Sequence, residues 1–347
     1  MSSSWATGAT STADGVLHPF FRERLALAPG AEGGFLAPAG PWQVPAGVQA
    51  RDLVIDDPNQ DARVGGVPVR LYTPSDDGSG PRPGLLWLHG GGFTDGSIEW
   101  GEAHAVAAEL AARAGAVVVS VGYRLVDDDV VHPAPLHDVL AAWRWFGLNA
   151  ARFGVGPVRH IGGASAGATL AAACTALLRD SGEPAPAGML LAYGVFHCPP
   201  PAAGAHLEHQ LEVLPEVLRH RPAAVLDMFR RYAGPLAALD ASAVPGCADL
   251  RDLPPALLVA CEYDDLRTST DLYADQLAAA GVEVRTYLAP GVLHGHLNWF
   301  PSPTLPEVDR TIDVLAGALA DPPVSGRPAP GPSPDLPEPT RDEGAAR

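Results

Sequence analysis

Short β-type runs alternate with alanine-rich stretches of helical length through most of this chain, and few folds accept that rhythm. Strands are expected over 53–55, 67–72, 85–88, 116–121, 158–161, 189–193, 256–261 and 283–288, and helices over 102–114, 136–148, 166–178, 269–280 and 306–319. Such spacing implies an α/β fold in which a mostly parallel sheet is covered by helices on both faces. The early strands follow one another without helices, so the sheet is expected to begin antiparallel. With 347 residues the chain can bury one large α/β domain or two modest ones. No internal repeat is visible.

Two segments break the alternation. Residues 16–50 form a helical stretch punctuated by proline and glycine ahead of the first strand. Residues 197–250 hold a helical insertion, with helices expected over 207–221 and 223–232. Both are expected to pack over the carboxyl end of the sheet, where open α/β folds bind ligands. They are read as a cap on a core spanning 51–320. The ends, 1–15 and 321–347, are expected to be disordered. The first is rich in Ser, Thr, Ala and Gly, the second in proline, glycine and charge, and neither can bury enough apolar surface to offset its ordering entropy.

Composition excludes several classes of function. The net charge of −17 argues against a nucleic-acid or anionic-membrane surface, which needs clustered cations. No lysine occurs, which removes a lysine nucleophile or Schiff base. Cys174, Cys198, Cys247 and Cys261 are scattered without ligand-like spacing and read as reduced, small core residues of a cytoplasmic protein. The N-terminus lacks the basic and apolar regions of a signal peptide, and no apolar run is long enough to span a membrane. His206-Leu207-Glu208-His209 lacks the i, i+4 histidine pair of a zinc helix, and no phosphate-binding glycine motif opens a βα unit. No metal and no cofactor are expected. Trp143 and Trp145 are read as packing residues.

The chemistry lies in three loops. His89-Gly90-Gly91-Gly92-Phe93 follows the apolar run 85–88, so three side-chain-free residues present bare backbone N–H groups after a strand. Such a loop suits a developing oxyanion. Gly163-Ala164-Ser165-Ala166-Gly167 is a G-x-S-x-G between an expected strand and an alanine-rich helix. Small neighbours allow the sharp turn that presents a serine nucleophile at a helix N-terminus. After the strand 256–261 come Glu262, Asp264 and Asp265. A carboxylate there could accept the Nδ1–H of a histidine, and spacing alone does not separate Asp264 from Asp265. After the strand 283–288, His294 lies between Gly291 and Gly295 as the candidate base, with His296 as its local rival.

Together these pieces resemble the hormone-sensitive-lipase-like esterases, the HGGG-type (bacterial family IV) branch of the α/β-hydrolases. The resemblance covers roughly residues 50–320. It extends to Tyr123-Arg124-Leu125, to His132-Pro133-Ala134-Pro135-Leu136-His137-Asp138 with Trp143, and to Leu253-Pro254-Pro255-Ala256 ahead of the acidic cluster. It implies an α/β-hydrolase fold with an eight-stranded, mostly parallel sheet and a helical cap. It also implies that Asp264 is the acid and His294 the base. Ser165 would then attack, Gly91, Gly92 and Ala166 would supply the oxyanion N–H groups, and His89 and Gly90 would shape the loop. The sequence departs from the family at Gly122, Ala164, Ala168, Asp265, His296 and the segment 126–129, changes that bear on substrate preference more than on reaction type.

The expected activity is that of a carboxylesterase-type serine hydrolase. It would act on small-molecule esters of small to medium acyl chain through an acyl-enzyme, with a homodimer left open as the assembly. Two alternatives remain at this point: an amide, carbamate or lactone hydrolase with the same residues, and a non-catalytic small-molecule binder on the same fold.

Overall fold

The computed structural model describes residues 16–26, 40–56, 65–75 and 80–320. The expected disordered ends, 1–15 and 321–347, lie outside the described residues, as does the 27–39 part of the N-terminal cap segment. A short helix, α1 (Pro19–Leu25), precedes β1 (Val48–Ile55), β2 (Val67–Pro74) and β3 (Arg82–Leu88). Then follow α2 (Gly101–Ala114), β4 (Val117–Val121), α3 (Ala134–Asn149), β5 (Val155–Ala164), α4 (Ala166–Asp180) and β6 (Met189–Ala192). The insertion carries α5 (Ala205–Leu211) and α6 (Pro222–Ala233), and the chain closes with β7 (Ala256–Tyr263), α7 (Arg267–Ala279), β8 (Val284–Leu293) and α8 (Pro306–Ala320).

The eight strands form one sheet in the order β1-β2-β4-β3-β5-β6-β7-β8. β1 pairs antiparallel with β2, and β2 with β4, while every later pairing is parallel. β1 and β2 are joined without a helix and lack the crossover that parallel pairing needs, so this pair is antiparallel. β1 begins five residues earlier than its apolar content suggests. As an edge strand it exposes Arg51 and Asp52, which hide it from a hydrophobicity pattern.

Alternate residues of the central strands feed opposite layers. Leu86 and Leu88 join the core beneath α3, α4 and α7, whereas Leu85 and Trp87 join the core beneath α2 and α8. β3 lies between β4 and β5, so the strand order reverses there. The loops that follow β3 and β5 therefore emerge side by side, the place where doubly wound sheets open a crevice. The parallel register sets Leu88 opposite Gly163, which brings the triple-glycine loop alongside the serine turn.

The helix expected over 207–221 is shorter than that reading. α5 ends at Leu211, and a 3-10 turn, Glu216–Leu218, follows Pro215. A proline in a helix interior supplies no amide donor and crowds the preceding turn, so the helix cannot run through Pro215. Among the described residues no helix is long and apolar enough to cross a membrane.

Candidate active site

Ser165 stands alone between the last residue of β5 and the first of α4, at φ 53° and ψ −120°. A side-chain-bearing residue in the left-handed region carries strain that its surroundings must hold. Its own N–H donates to the Ala192 carbonyl at 2.8 Å. The flanking glycines are required by close approach. A Cβ on Gly167 would lie 2.3 Å from the Leu88 carbonyl oxygen and 2.4 Å from that of His89, and one on Gly163 would lie 2.7 Å from the Leu88 oxygen. The serine turn is thus pressed against the end of β3. Its hydroxyl sits at the positive end of α4.

The triple-glycine loop is shaped from several sides. Gly91, Gly92 and Phe93 have φ of 110°, 60° and 68°. A Cβ on Gly91 would fall 2.0 Å from the Asp95 carbonyl oxygen, so only glycine fits there. Burial pushes His89 down to about 4, leaving a neutral ring whose Nδ1–H donates to the Gly90 carbonyl at 2.7 Å. That ring stacks on Tyr123, with centroids 4.2 Å apart, and the Tyr123 hydroxyl donates to the His89 carbonyl at 2.7 Å. The Gly90 N–H is taken by the Glu102 carboxylate at 2.8 Å. Among the described residues, no backbone carbonyl accepts from the N–H groups of Gly91, Gly92 or Ala166.

The acid and base candidates converge on the serine. His294 Nε2 lies 2.9 Å from Ser165 Oγ, and His294 Nδ1 lies 2.7 Å from Asp264 Oδ2. The other carboxylate oxygen, Oδ1, accepts the Leu266 N–H at 2.9 Å. Burial alone would disfavour the charged histidine, but the Asp264 charge and hydrogen bond outweigh it, and His294 is raised above the ordinary histidine range. Burial likewise opposes the charge on Asp264, and the contact with His294 reverses the balance, so the carboxyl is lowered. The two rivals are drawn elsewhere. Asp265 accepts from Arg219 Nε at 2.9 Å and from Nη2 at 2.8 Å. His296 is fully buried, bonds Thr311 Oγ1 at 2.8 Å, and is pushed down to about 3 by burial.

Comparison with known proteins bears on the fold and the family. A family model of the alpha/beta hydrolase fold matches residues 85–298. Carboxylesterase NlhH of Mycobacterium tuberculosis is 35% identical over 249 residues, covering 67% of this chain and 72% of that protein. The chain belongs to the hormone-sensitive-lipase-like esterases of the α/β-hydrolase fold. Esterase LipI of the same organism is 34% identical, covering 72% of this chain and 75% of its own. The crystal structure of EstE1, a thermostable carboxylesterase cloned from a metagenomic library, superposes with a TM-score of 0.68 at 32% identity, covering 78% of this chain and 88% of that one. This esterase is accordingly a serine hydrolase of carboxylic esters.

Several motif residues of the esterase now have physical duties. The Arg124 N–H and guanidinium both bond the buried Asp138 carboxylate, tying the Tyr123 strand end to α3. Trp143 donates from Nε1 to the Pro184 carbonyl and packs in the core, as its reading predicted. In the 206–209 segment, His209 pairs with Glu212 while Glu208 pairs with Arg219 and Arg221. Among the described residues the one group at metal-ligand spacing is His220, Asp264 and His294, two of which already serve the chain to Ser165.

Glu102 escaped the sequence reading. It looks like an ordinary acid in the first turn of a helix, yet it is buried and bonds both Gly90 N–H and, at 2.9 Å, the Tyr193 hydroxyl. Burial raises its pKa, and those hydrogen bonds partly offset the shift. Only a negative charge next to a triple-glycine loop in three dimensions, which no local pattern records, could have singled it out.

Proposed function

We propose that Ser165 is the nucleophile of this esterase, His294 its general base and Asp264 the carboxylate that orients and stabilises the histidine. The observation that carries the reading is the unbroken hydrogen-bonded chain from Ser165 Oγ through His294 to Asp264, at 2.9 and 2.7 Å. His294 takes the hydroxyl proton as Oγ attacks the acyl carbonyl, and the N–H groups of Gly91, Gly92 and Ala166 hold the oxyanion. The imidazolium then gives its proton to the leaving alcohol. Water, activated by the same histidine, releases the acid and restores the serine.

α1 and the segment carrying α5 and α6 are read as the cap. α6 supports that reading through Phe229 and Tyr232, the latter stacked on Phe93 with centroids 3.8 Å apart. Met228 of the same helix stands over the triple-glycine loop, its sulfur 3.5 Å from where a Gly92 Cβ would be. α1 sets Phe21 edge-on against Trp299, and the N–H of His18, the residue capping its start, donates to the Gly291 carbonyl at 2.8 Å. With α6 so close to the loop, small and medium acyl groups are favoured over long chains. The four free thiols support a cytoplasmic setting.

The test is hydrolysis of p-nitrophenyl esters of increasing chain length by the parent and by Ser165→Ala. The expected result is turnover that peaks at short to medium chains and is lost in the variant. Equal turnover by both proteins would remove Ser165 from the role.

A further inference from the structure

Between the 3-10 turn that follows α5 and the start of α6, the cap sends one side chain onto the base. The His220 ring lies 4.4 Å from that of His294, centroid to centroid, inclined at 55°. Its Nδ1 is buried without a hydrogen-bond partner among the described residues and stands 3.8 Å from Asp264 Oδ1, the oxygen that His294 does not use. The His220 side chain is 38% exposed, but desolvation of its inner edge and the neighbouring His294 push it down to about 4, so the ring is neutral near pH 7.

The backbone at this point is locked. Arg219, its side chain 2% exposed, sends Nε and Nη2 to Asp265 at 2.9 and 2.8 Å. The same guanidinium donates to the Leu211 carbonyl at 3.2 Å and to Glu208 at 3.1 Å. The His220 N–H itself donates to Asp265 Oδ2 at 2.8 Å. A desolvated ion pair contributes little net stability but strongly specifies position, because removing either partner strands a buried charge. Adjacent carboxylates thus hold the two histidines: Asp264 grips His294, and Asp265 grips the chain that presses His220 against it.

We propose that His220, fixed by the Arg219–Asp265 pair, is a positioning residue for His294, an inference that rests on the base role assigned to His294 above. His294 must keep Nε2 on Ser165 and Nδ1 on Asp264 at once. A ring packed on it opposes rotation about χ2 and keeps water from competing for the Asp264 carboxylate. Small losses of alignment in a reacting pair are expensive.

The experiment compares the parent, His220→Ala and His220→Phe in p-nitrophenyl butyrate hydrolysis, and follows the low-field proton NMR signal of the His294 Nδ1–H. For His220→Ala, kcat should fall roughly ten- to a hundredfold with KM within about twofold of the parent. Its low-field signal should broaden through exchange with water. His220→Phe keeps a ring on His294 and should retain a sharp signal, with kcat within about threefold of the parent. Parental kcat in the alanine variant, a loss confined to KM, or a phenylalanine variant as impaired as the alanine one would each overturn the proposal. Should the alanine variant fail to fold, the phenylalanine variant decides by the same two readouts. Esterase activity that survives Ser165→Ala defeats the underlying reading instead, and the NMR signal reports on the His220 contact without turnover.

Discussion

Replacing Asp264 by asparagine keeps the side-chain volume and one carbonyl oxygen but removes the charge facing His294. In the structure Oδ1 accepts the Leu266 N–H while Oδ2 accepts from His294 Nδ1. An amide cannot serve both. If its oxygen stays on Leu266, the NH2 group faces His294 and forces Nδ1 to become the acceptor, so the proton moves to Nε2 and the ring can no longer deprotonate Ser165. If it turns round, a buried N–H faces the Leu266 N–H, at a cost of about 1–3 kcal/mol. The wrong-tautomer penalty in a serine triad is on the order of 10⁴-fold in kcat, or about 5.5 kcal/mol at roughly 1.4 kcal/mol per decade.

The pH dependence carries a sign as well. The Asp264 charge and hydrogen bond are the largest influences raising His294, because they favour the protonated ring. The acid limb of kcat/KM in the parent should therefore lie above the ordinary histidine range, and in the asparagine variant the residual activity should show it shifted to lower pH. The assay is kcat/KM for p-nitrophenyl butyrate across pH, run beside Asp265→Asn. That second variant can keep its one amide oxygen on Arg219 Nε and the His220 N–H, but it turns an NH2 group toward Arg219 Nη2 and leaves a buried guanidinium facing a neutral group. It should lose stability, about 1–3 kcal/mol, with kcat within about tenfold of the parent. A larger kcat loss from Asp265→Asn than from Asp264→Asn would refute the assignment of the acid.

Gly167→Ala places a methyl 2.3 Å from the Leu88 carbonyl oxygen, which is backbone and cannot swing away. Thermal denaturation should show a loss of at least about 1–3 kcal/mol, the usual cost of overpacking. Glu102→Ala leaves the Gly90 N–H without its partner, and kcat should fall with little change in KM, while Glu102→Gln, which keeps an acceptor, should recover part of it. His296→Phe should retain turnover within a few-fold, because among the described residues that ring hydrogen-bonds Thr311 and Cys261 and not the serine, whereas His294→Phe should abolish it; steady-state kinetics on both separates the two histidines.

How much of this was legible beforehand differs residue by residue. Ser165 could be picked out because its pentapeptide, the preceding strand and the following helix are all local. The choice between Asp264 and Asp265, two neighbours of identical chemistry, rested on resemblance, since spacing offers no measure of which carboxylate turns inward. Their environments part only once β7 and the cap are packed, one facing His294 and the other Arg219. His220 and Glu102 carried no pattern of their own. Glu102 lies 12 positions from Gly90 but 91 from Tyr193, His220 is remote in sequence from the ring it packs on, and each resembles an ordinary polar residue of a helix end or turn. The segment 207–221 reads as one helix by composition, but Pro215 divides it into α5 and a 3-10 turn.

By itself the sequence determined the succession of strands and helices, the buried faces of the central strands, and the three loops able to carry acyl-transfer chemistry. These follow from periodicity and from the backbone freedom of glycine, properties of residues near one another in the chain. Only the tertiary structure decided which of the candidates meet. β3 inserts between β4 and β5, setting the triple-glycine loop beside the serine turn, and the packing of β7 and β8 brings His294 to a serine 129 positions away. Side-chain partnership at that separation is set by sheet order and cap packing, which are products of the whole folded chain.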